Sequence, residues 1–126
     1  MAQMEGNLSQ TVGFNYVCGR IRINHEVLEK LFLPKYIKIM LNADDGRIVI
    51  IGSDSYDQNC IKINYSLKSI KRLGVYIYSK LLVEKVYIVA GWNLARAYRI
   101  QMSLDSDMGT MAANLKDAIM VSSTSR

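Results

Sequence analysis

The sequence is poor in the residues that build metal and catalytic centres. It holds one histidine, two cysteines and one tryptophan among 126 residues. His25, Cys18 and Cys60 are dispersed along the chain and fall short of the four ligands of a usual zinc site. No Cys-x-x-Cys spacing occurs, so a reactive or disulfide pair is not indicated. Each cysteine lies in an apolar, strand-like segment and reads as a reduced, buried thiol behaving as a small hydrophobe. His25 opens a short helix, where a lone histidine reads as a surface or capping residue rather than a general base. Asp44-Asp45 and Asp105/Asp107 are turn formers whose carboxylates bond their own backbone. The eight glycines are scattered, and none forms a phosphate-cradling loop. The expectation is a protein that is not an enzyme, with no catalytic residues, no metal and no cofactor.

Long hydrophobic runs are also missing. Nothing approaches the roughly 18–20 apolar residues that span a bilayer. Met1 to Ser9 is polar and lacks the basic region and apolar stretch of a signal peptide. A cytoplasmic protein with no membrane partner is expected. Half of the residues are nonetheless hydrophobic. A chain of this length buries roughly two-thirds of its unfolded surface, enough for one core without staples.

What the chain does contain is a unit that reads twice. Gly19-Arg20-Ile21-Arg22-Ile23-Asn24 aligns with Gly74-Val75-Tyr76-Ile77-Tyr78-Ser79 at an offset of 55, and Glu29-Lys30 aligns with Glu84-Lys85. Val27, Leu28 and Leu31 fall on Leu82, Val83 and Val86. Further on, Ile37 to Leu41 aligns with Ile100 to Leu104 at an offset of 63, which lays Gly46 on Gly109. The second copy therefore carries about eight extra residues near Ala90 to Ala97. Internal repeats of this kind govern the fold.

Along the chain, residues 1–10 read as a disordered N-terminus. Residues 11–120 read as one domain, made of repeat 1 (about 13–64) and repeat 2 (about 74–120), and 121–126 as a flexible tail. Val12 to Ile23 alternates as a strand. Asn24 caps a helix over His25 to Leu33, which the single proline, Pro34, ends. Tyr36 to Leu41 and Arg47 to Ile51 form a hairpin around Asp45-Gly46. Cys60 to Asn64 is a short strand, and Tyr65 to Leu73 a basic connector. Val75 to Tyr78 is strand, Ser79 a cap and Lys80 to Val89 helix. Tyr98 to Leu104 and Thr110 to Leu115 form a second hairpin, and Lys116 to Met120 a last helical turn. Neither unit buries enough apolar surface alone, since an isolated hairpin is marginal. Packed together around a pseudo-twofold axis they would share one core.

Strand, capped short helix and Asp-Gly hairpin at this length resemble the swapped-hairpin half of the AbrB/MraZ/SpoVT superfamily of DNA-binding proteins. The residues that carry the resemblance are Gly19-Arg20-Ile21-Arg22-Ile23, Val27, Leu31 and Asp45-Gly46-Arg47-Ile48-Val49-Ile50. Gly74, Tyr76, Tyr78, Leu82, Val86 and Gly109 echo them. Asn24 and Ser79 stand where that family has proline, and Leu28 and Glu29 where it has an arginine. Tyr16 and Cys18 stand where MraZ has an acidic residue and a lysine. The two-unit layout, with Gly91-Trp92 after the second helix and Tyr98-Arg99-Ile100 in the strand, is also similar to small uncharacterised proteins of Firmicutes and their mobile elements. The resemblance implies an α+β fold, a small β-barrel-like domain from two pseudo-symmetric βαββ repeats, and a DNA-binding transcriptional regulator. A homodimer is left open.

Net charge is +5, and all of it lies in the second half. Residues 1–64 carry seven basic and seven acidic side chains, residues 65–126 nine and four. An acidic partner such as nucleic acid suits that asymmetry, as does an ordinary solvated surface. The candidate nucleic-acid-binding residues are Arg20 and Arg22 on one face of the first strand, Lys62, Lys68, Lys71, Arg72 and Lys80 around the connector, and Arg96 and Arg99 after the tryptophan loop. Arg20, Arg22 and Arg72 are the candidates for base edges. Trp92 reads either as a core plug or as an exposed anchor for a partner. Tyr76 and Tyr78, aligned with Ile21 and Ile23, read as core. Loss of the family arginine favours an alternative class: a phage- or mobile-element-encoded interaction module that inhibits a host protein or nucleoprotein such as a defence nuclease, in the manner of an anti-CRISPR.

Overall fold

Val12 and Phe14 alternate with Thr11, Gly13 and Asn15 in β1 (Thr11–Asn15), and Ile21 and Ile23 with Arg20 and Arg22 in β2 (Arg20–Ile23). The computed structural model describes residues 10–64, 74–105 and 109–121. The segment that reads as one strand is thus two, because the chain reverses at residues 16–19. Gly19 adopts φ 64°, its N–H donates to Tyr16 O at 3.0 Å, and Cys18 N–H donates to Asn15 Oδ1 at 3.1 Å. The reversal leaves Cys18 exposed, and Cys60 is half-buried. The expectation of two buried thiols fails because Cys18 belongs to a turn rather than to an alternating strand.

Asn24 precedes α1 (His25–Lys30), but its side chain does not cap the helix. Its Nδ2 donates instead to Thr11 Oγ1 at 2.9 Å and ties the helix start to β1. The helix closes with Leu33 N–H on Leu28 O at 2.8 Å and Phe32 N–H on Glu29 O at 2.9 Å. These are the two bonds of a Schellman ending, which favours glycine at the left-handed position. Here Phe32 occupies it at φ 65°, with Leu33 following at φ 49°. The Asp-Gly hairpin joins β3 (Tyr36–Asn42) to β4 (Arg47–Ser53), with Gly46 at φ 66°. A short β5 (Ile61–Lys62) pairs with β3.

In the second half, β6 (Val75–Tyr78) leads into α2 (Lys80–Ala90), capped by Ser79 Oγ accepting from Leu82 N–H and ended by Gly91 at φ 70°. The strand read as Tyr98 to Leu104 is interrupted: β7 (Ala97–Gln101) and β8 (Ser103–Asp105) flank Met102. Met102 is buried, and its N–H and C=O both bond to Gln10, at 2.8 and 3.3 Å. Because Gln10 satisfies the broken backbone, the chain can leave one sheet and enter the other. β9 (Thr110–Asn114) follows, then a 3-10 turn, Leu115–Asp117. The last helical turn expected over Lys116 to Met120 is instead a strand, β10 (Ile119–Val121). Its β-branched residues extend along β7, whose backbone groups on that side accept them.

The fold is mixed α+β. One sheet, sheet I, has the order β10-β7-β1-β2-β6, and the other, sheet II, the order β5-β3-β4-β9-β8, all antiparallel. The barrel expected from the resemblance is not closed. Among the described residues the outer strands β6 and β10 of sheet I pair with no strand of sheet II, and only the β7–β8 crossing carries one strand line between them. No helix among the described residues is long and apolar enough to cross a membrane.

The two repeat offsets fare differently against the ladders. In β4·β9, Val49 pairs with Ala112, its counterpart at 63, and the end pairs Arg47–Asn114 and Ile51–Thr110 exchange under the same shift. Gly46 and Gly109 donate alike to Asn42 O and Asp105 O, each at 2.8 Å. In β2·β6 the shift of 55 matches the left-handed glycines, Gly19 and Gly74, and the residues ahead of the helices, but not the faces. Directly opposed residues share a face, so Ile21–Ile77 and Ile23–Val75 point inward and Arg20–Tyr78 and Arg22–Tyr76 outward. Tyr76 and Tyr78 are therefore exposed, at 37% and 68%, and do not take the core places of Ile21 and Ile23.

Both sheets and both helices feed one apolar cluster, including Phe14, Ile21 and Ile23 from sheet I, Ile37, Ile48, Ile50 and Met111 from sheet II, Val27 and Leu28 from α1, and Val83, Val86 and Tyr87 from α2. Tyr87 is its polar pin. Its hydroxyl oxygen lies 2.6 Å from Arg96 O and 3.1 Å from Phe14 O, and it accepts from Tyr16 N–H at 3.3 Å. Burial raises the Tyr87 pKa above its ordinary 10.0, against the opposing bond from Tyr16. Tyr87→Phe leaves Tyr16 N–H and Arg96 O without this partner and is expected to cost about 1–2 kcal/mol in denaturant unfolding. In the parent, the folded form holds the phenolic proton more tightly than the unfolded one. The contribution of Tyr87 to stability is then full below pH 10.0 and is lost as pH rises past it, and Tyr87→Phe should remove that part of the slope.

Candidate nucleic-acid interface

Strand alternation sends every second residue of sheet I away from the core. Cross-strand pairing arranges these outward residues in rows that run over all five strands. One row is Tyr76, Arg22, Gly13, Arg99 and Ile119. The next is Tyr78, Arg20, Asn15, Ala97 and Val121. Thr11 and Gln101 begin a third. No acidic residue stands among these positions of the described strands. The Arg20 guanidinium carbon lies 4.7 Å from the centroid of the Tyr76 ring. That stacking holds the guanidinium over an aromatic plane while its edge stays available for acceptors.

A depression of about 180 Å³ sinks into the middle of this face, lined by Gly13, Asn15, Arg20, Arg22, Arg99 and Val121 among others. At the end of the sheet where Arg20 and Ala97 lie, two more of the expected cations gather. Lys80 opens α2, with its Nζ 4.7 Å from the Tyr16 ring centroid. Arg96 immediately precedes β7, and its N–H donates to Asn93 O at 3.0 Å. The structure thus brings Arg20, Arg22, Lys80, Arg96 and Arg99 to one face and its rim. Lys62 lies elsewhere, on β5 opposite Tyr36 at the edge of sheet II. Lys68, Lys71 and Arg72 lie outside the described residues.

Trp92 is half-buried, with its ring stacked on Tyr98 at 4.4 Å and 14°. Tyr87 and Phe14 stand at 5.1 and 5.6 Å. Three rings hold it against the core. Among the described large hydrophobic residues Phe32 is the most exposed, at 87%.

Sequence reading misses Gly13, Asn15, Gln101, Tyr76 and Tyr78 on this face. The signal for the tyrosines is present in Val75 to Tyr78, where the β-branched and aromatic residues alternate. The alignment with Ile21 and Ile23 conceals it. In the loop between β4 and β5, Asp57 has its pKa lowered, first by the N–H of Asn59 and then by Lys38, 3.3 Å away. Among the described residues no three His, Cys, Asp or Glu side chains cluster closely enough to hold a metal ion. Comparison with protein-family models, with curated proteins and with solved structures finds no match to this chain.

Proposed function

We propose that this is a small, non-enzymatic DNA-binding protein, a transcriptional regulator that engages DNA through the outer face of sheet I. The observation that carries the reading is the pair of outward rows, with three arginines and two exposed tyrosines and no carboxylate. Arginines supply the phosphate contacts that dominate affinity and, when bidentate, can read guanine. Tyrosine rings standing on a strand offer planes for bases. A relation to the AbrB/MraZ type is supported by the β4·β9 ladder, which is symmetric under the repeat offset, and by the matched Gly46 and Gly109 turns.

The test is fluorescence polarisation of labelled single-stranded and duplex DNA against the purified protein, from about 50 to 200 mM salt. Micromolar or tighter binding that weakens steeply with salt supports the reading. Absence of binding at the low end, or binding indifferent to salt, would sink it.

A second reading, a module that docks on a host protein or nucleoprotein, is favoured by Phe32. A bulky residue in the left-handed region costs about 1–2 kcal/mol relative to glycine, and here the side chain is not repaid by burial. Phe32→Gly is expected to leave stability equal or raise it by up to about 1 kcal/mol, measured by thermal unfolding. Under this reading the same change abolishes complex formation with the host protein; a complex that survives it excludes Phe32 as the anchor.

A further inference from the structure

Among the described residues, no neighbour requires glycine at position 13. It sits in the interior of β1, where glycine weakens a strand because it has no side chain to pack and much backbone freedom to lose. Glycine in a strand otherwise marks a bulge, a left-handed residue, or a place where another group must come close. There is no bulge: Val12, Gly13 and Phe14 pair in unbroken sequence with Ile23, Arg22 and Ile21 on one side and with Ile100, Arg99 and Tyr98 on the other. Gly13 is not among the residues with positive φ. Among the described residues, a Cβ placed there would meet Tyr98 O alone, at 3.8 Å, an ordinary contact. By contrast, a Cβ on Gly52 or Gly74 would come within 2.9 or 2.2 Å of a neighbour.

The remaining explanation is close approach from outside. Gly13 is the midpoint of the Arg22–Gly13–Arg99 row and forms part of the depression between those arginines. Two strand spacings separate the backbones of Arg22 and Arg99, about 10 Å. That span lets both side chains lean over a glycine and meet on one tetrahedral anion. We infer that the floor at Gly13, flanked by Arg22 and Arg99, is the seat of a backbone phosphodiester group of the bound nucleic acid. The inference rests on the proposed DNA-binding function and names the place where one phosphate is gripped. Tyr76, next in the same row beyond Arg22, then lies within reach of a base attached to that phosphate. Any side chain at position 13 would stand where the phosphate must descend.

The test is Gly13→Val, with Gly13→Ala as the milder variant, in the full chain. Both substitutions suit a strand, so the thermal midpoint should stay level or rise by about 3 °C. Affinity for a labelled oligonucleotide that the parent binds should fall about tenfold for Gly13→Val and less for Gly13→Ala. The slope of log affinity against log salt should flatten by about one phosphate contact. A folded Gly13→Val protein that binds as the parent does overturns the seat while leaving the DNA reading intact. A parent protein with no salt-dependent binding to any oligonucleotide overturns both. Should Gly13→Val fail to fold, Gly13→Ala decides on the same criteria.

Discussion

Replacing Arg20, Arg22 and Arg99 together by alanine is expected to weaken DNA binding about a thousandfold near 100 mM salt. Each guanidinium contributes a charge-assisted contact worth about a factor of ten, and the three lie on one face where a single strand can meet them all. The salt dependence should fall with them, by about two to three units of slope, because each lost contact leaves one set of counterions in place. Thermal stability should move little. The three side chains lie on the outer face, and surface changes of this kind usually stay within about 0.5 kcal/mol. The matched control is Lys62→Ala on the edge of sheet II, remote from the outward rows of sheet I. It should alter neither affinity nor slope. Polarisation titrations of the two variants at three salt concentrations separate a local face from diffuse positive charge. If Lys62→Ala weakens binding as much per charge as the triple variant does, the net charge of +5 rather than this face carries the interaction.

The largest effect on stability is expected at Gly74. It adopts φ 73° at the start of β6, and a Cβ there would lie 2.2 Å from Ile23 O and 3.0 Å from Asn24 Cα. Both obstacles are backbone, so no side chain can swing aside. Gly74→Ala must part β6 from β2 at the Ile23–Val75 pair, which is buried on both sides of the ladder. A cost of at least about 3 kcal/mol follows, the left-handed penalty adding to disrupted core packing. Gly46→Ala provides the comparison. Gly46 has nearly the same φ, 66°, but among the described residues nothing lies within 4 Å of the added methyl. It should show the conformational penalty alone, about 1 kcal/mol. Denaturant unfolding of the pair isolates the clash. Equal losses would mean that β6 shifts freely, and that the sheet I edge is not the rigid support the arginine rows require.

Local elements were legible where short-range chemistry decides them. Asp45-Gly46 specified its hairpin and Ser79 its helix start, because turn and cap effects act within a few residues; α1 ends at Lys30, short of the Leu33 expected from Pro34, because the Schellman bonds at Phe32 and Leu33 close it first. The Cys18 turn and the Met102 break were not legible. The turn is local, built by Asn15 and Gly19, but the alternation of Phe14, Tyr16 and Cys18 conceals it, whereas the break depends on Gln10, which satisfies Met102 from 92 residues away. The same holds for β10. Ile119 to Val121 is too short to declare itself a strand, and the edge of β7 that receives it decides the matter.

The candidate face follows the same division. Sequence alone determined that Arg20 and Arg22 share a side of one strand, since alternation fixes this with period two. Only tertiary structure decided that Arg99 joins those arginines across Gly13, and that Tyr76 and Tyr78 turn outward beside them. Strand alternation leaves one binary choice, which face is in, and the cross-strand partner makes it. Val75 lies opposite buried Ile23, so the phase of β6 is set by β2 and not by its own resemblance to it.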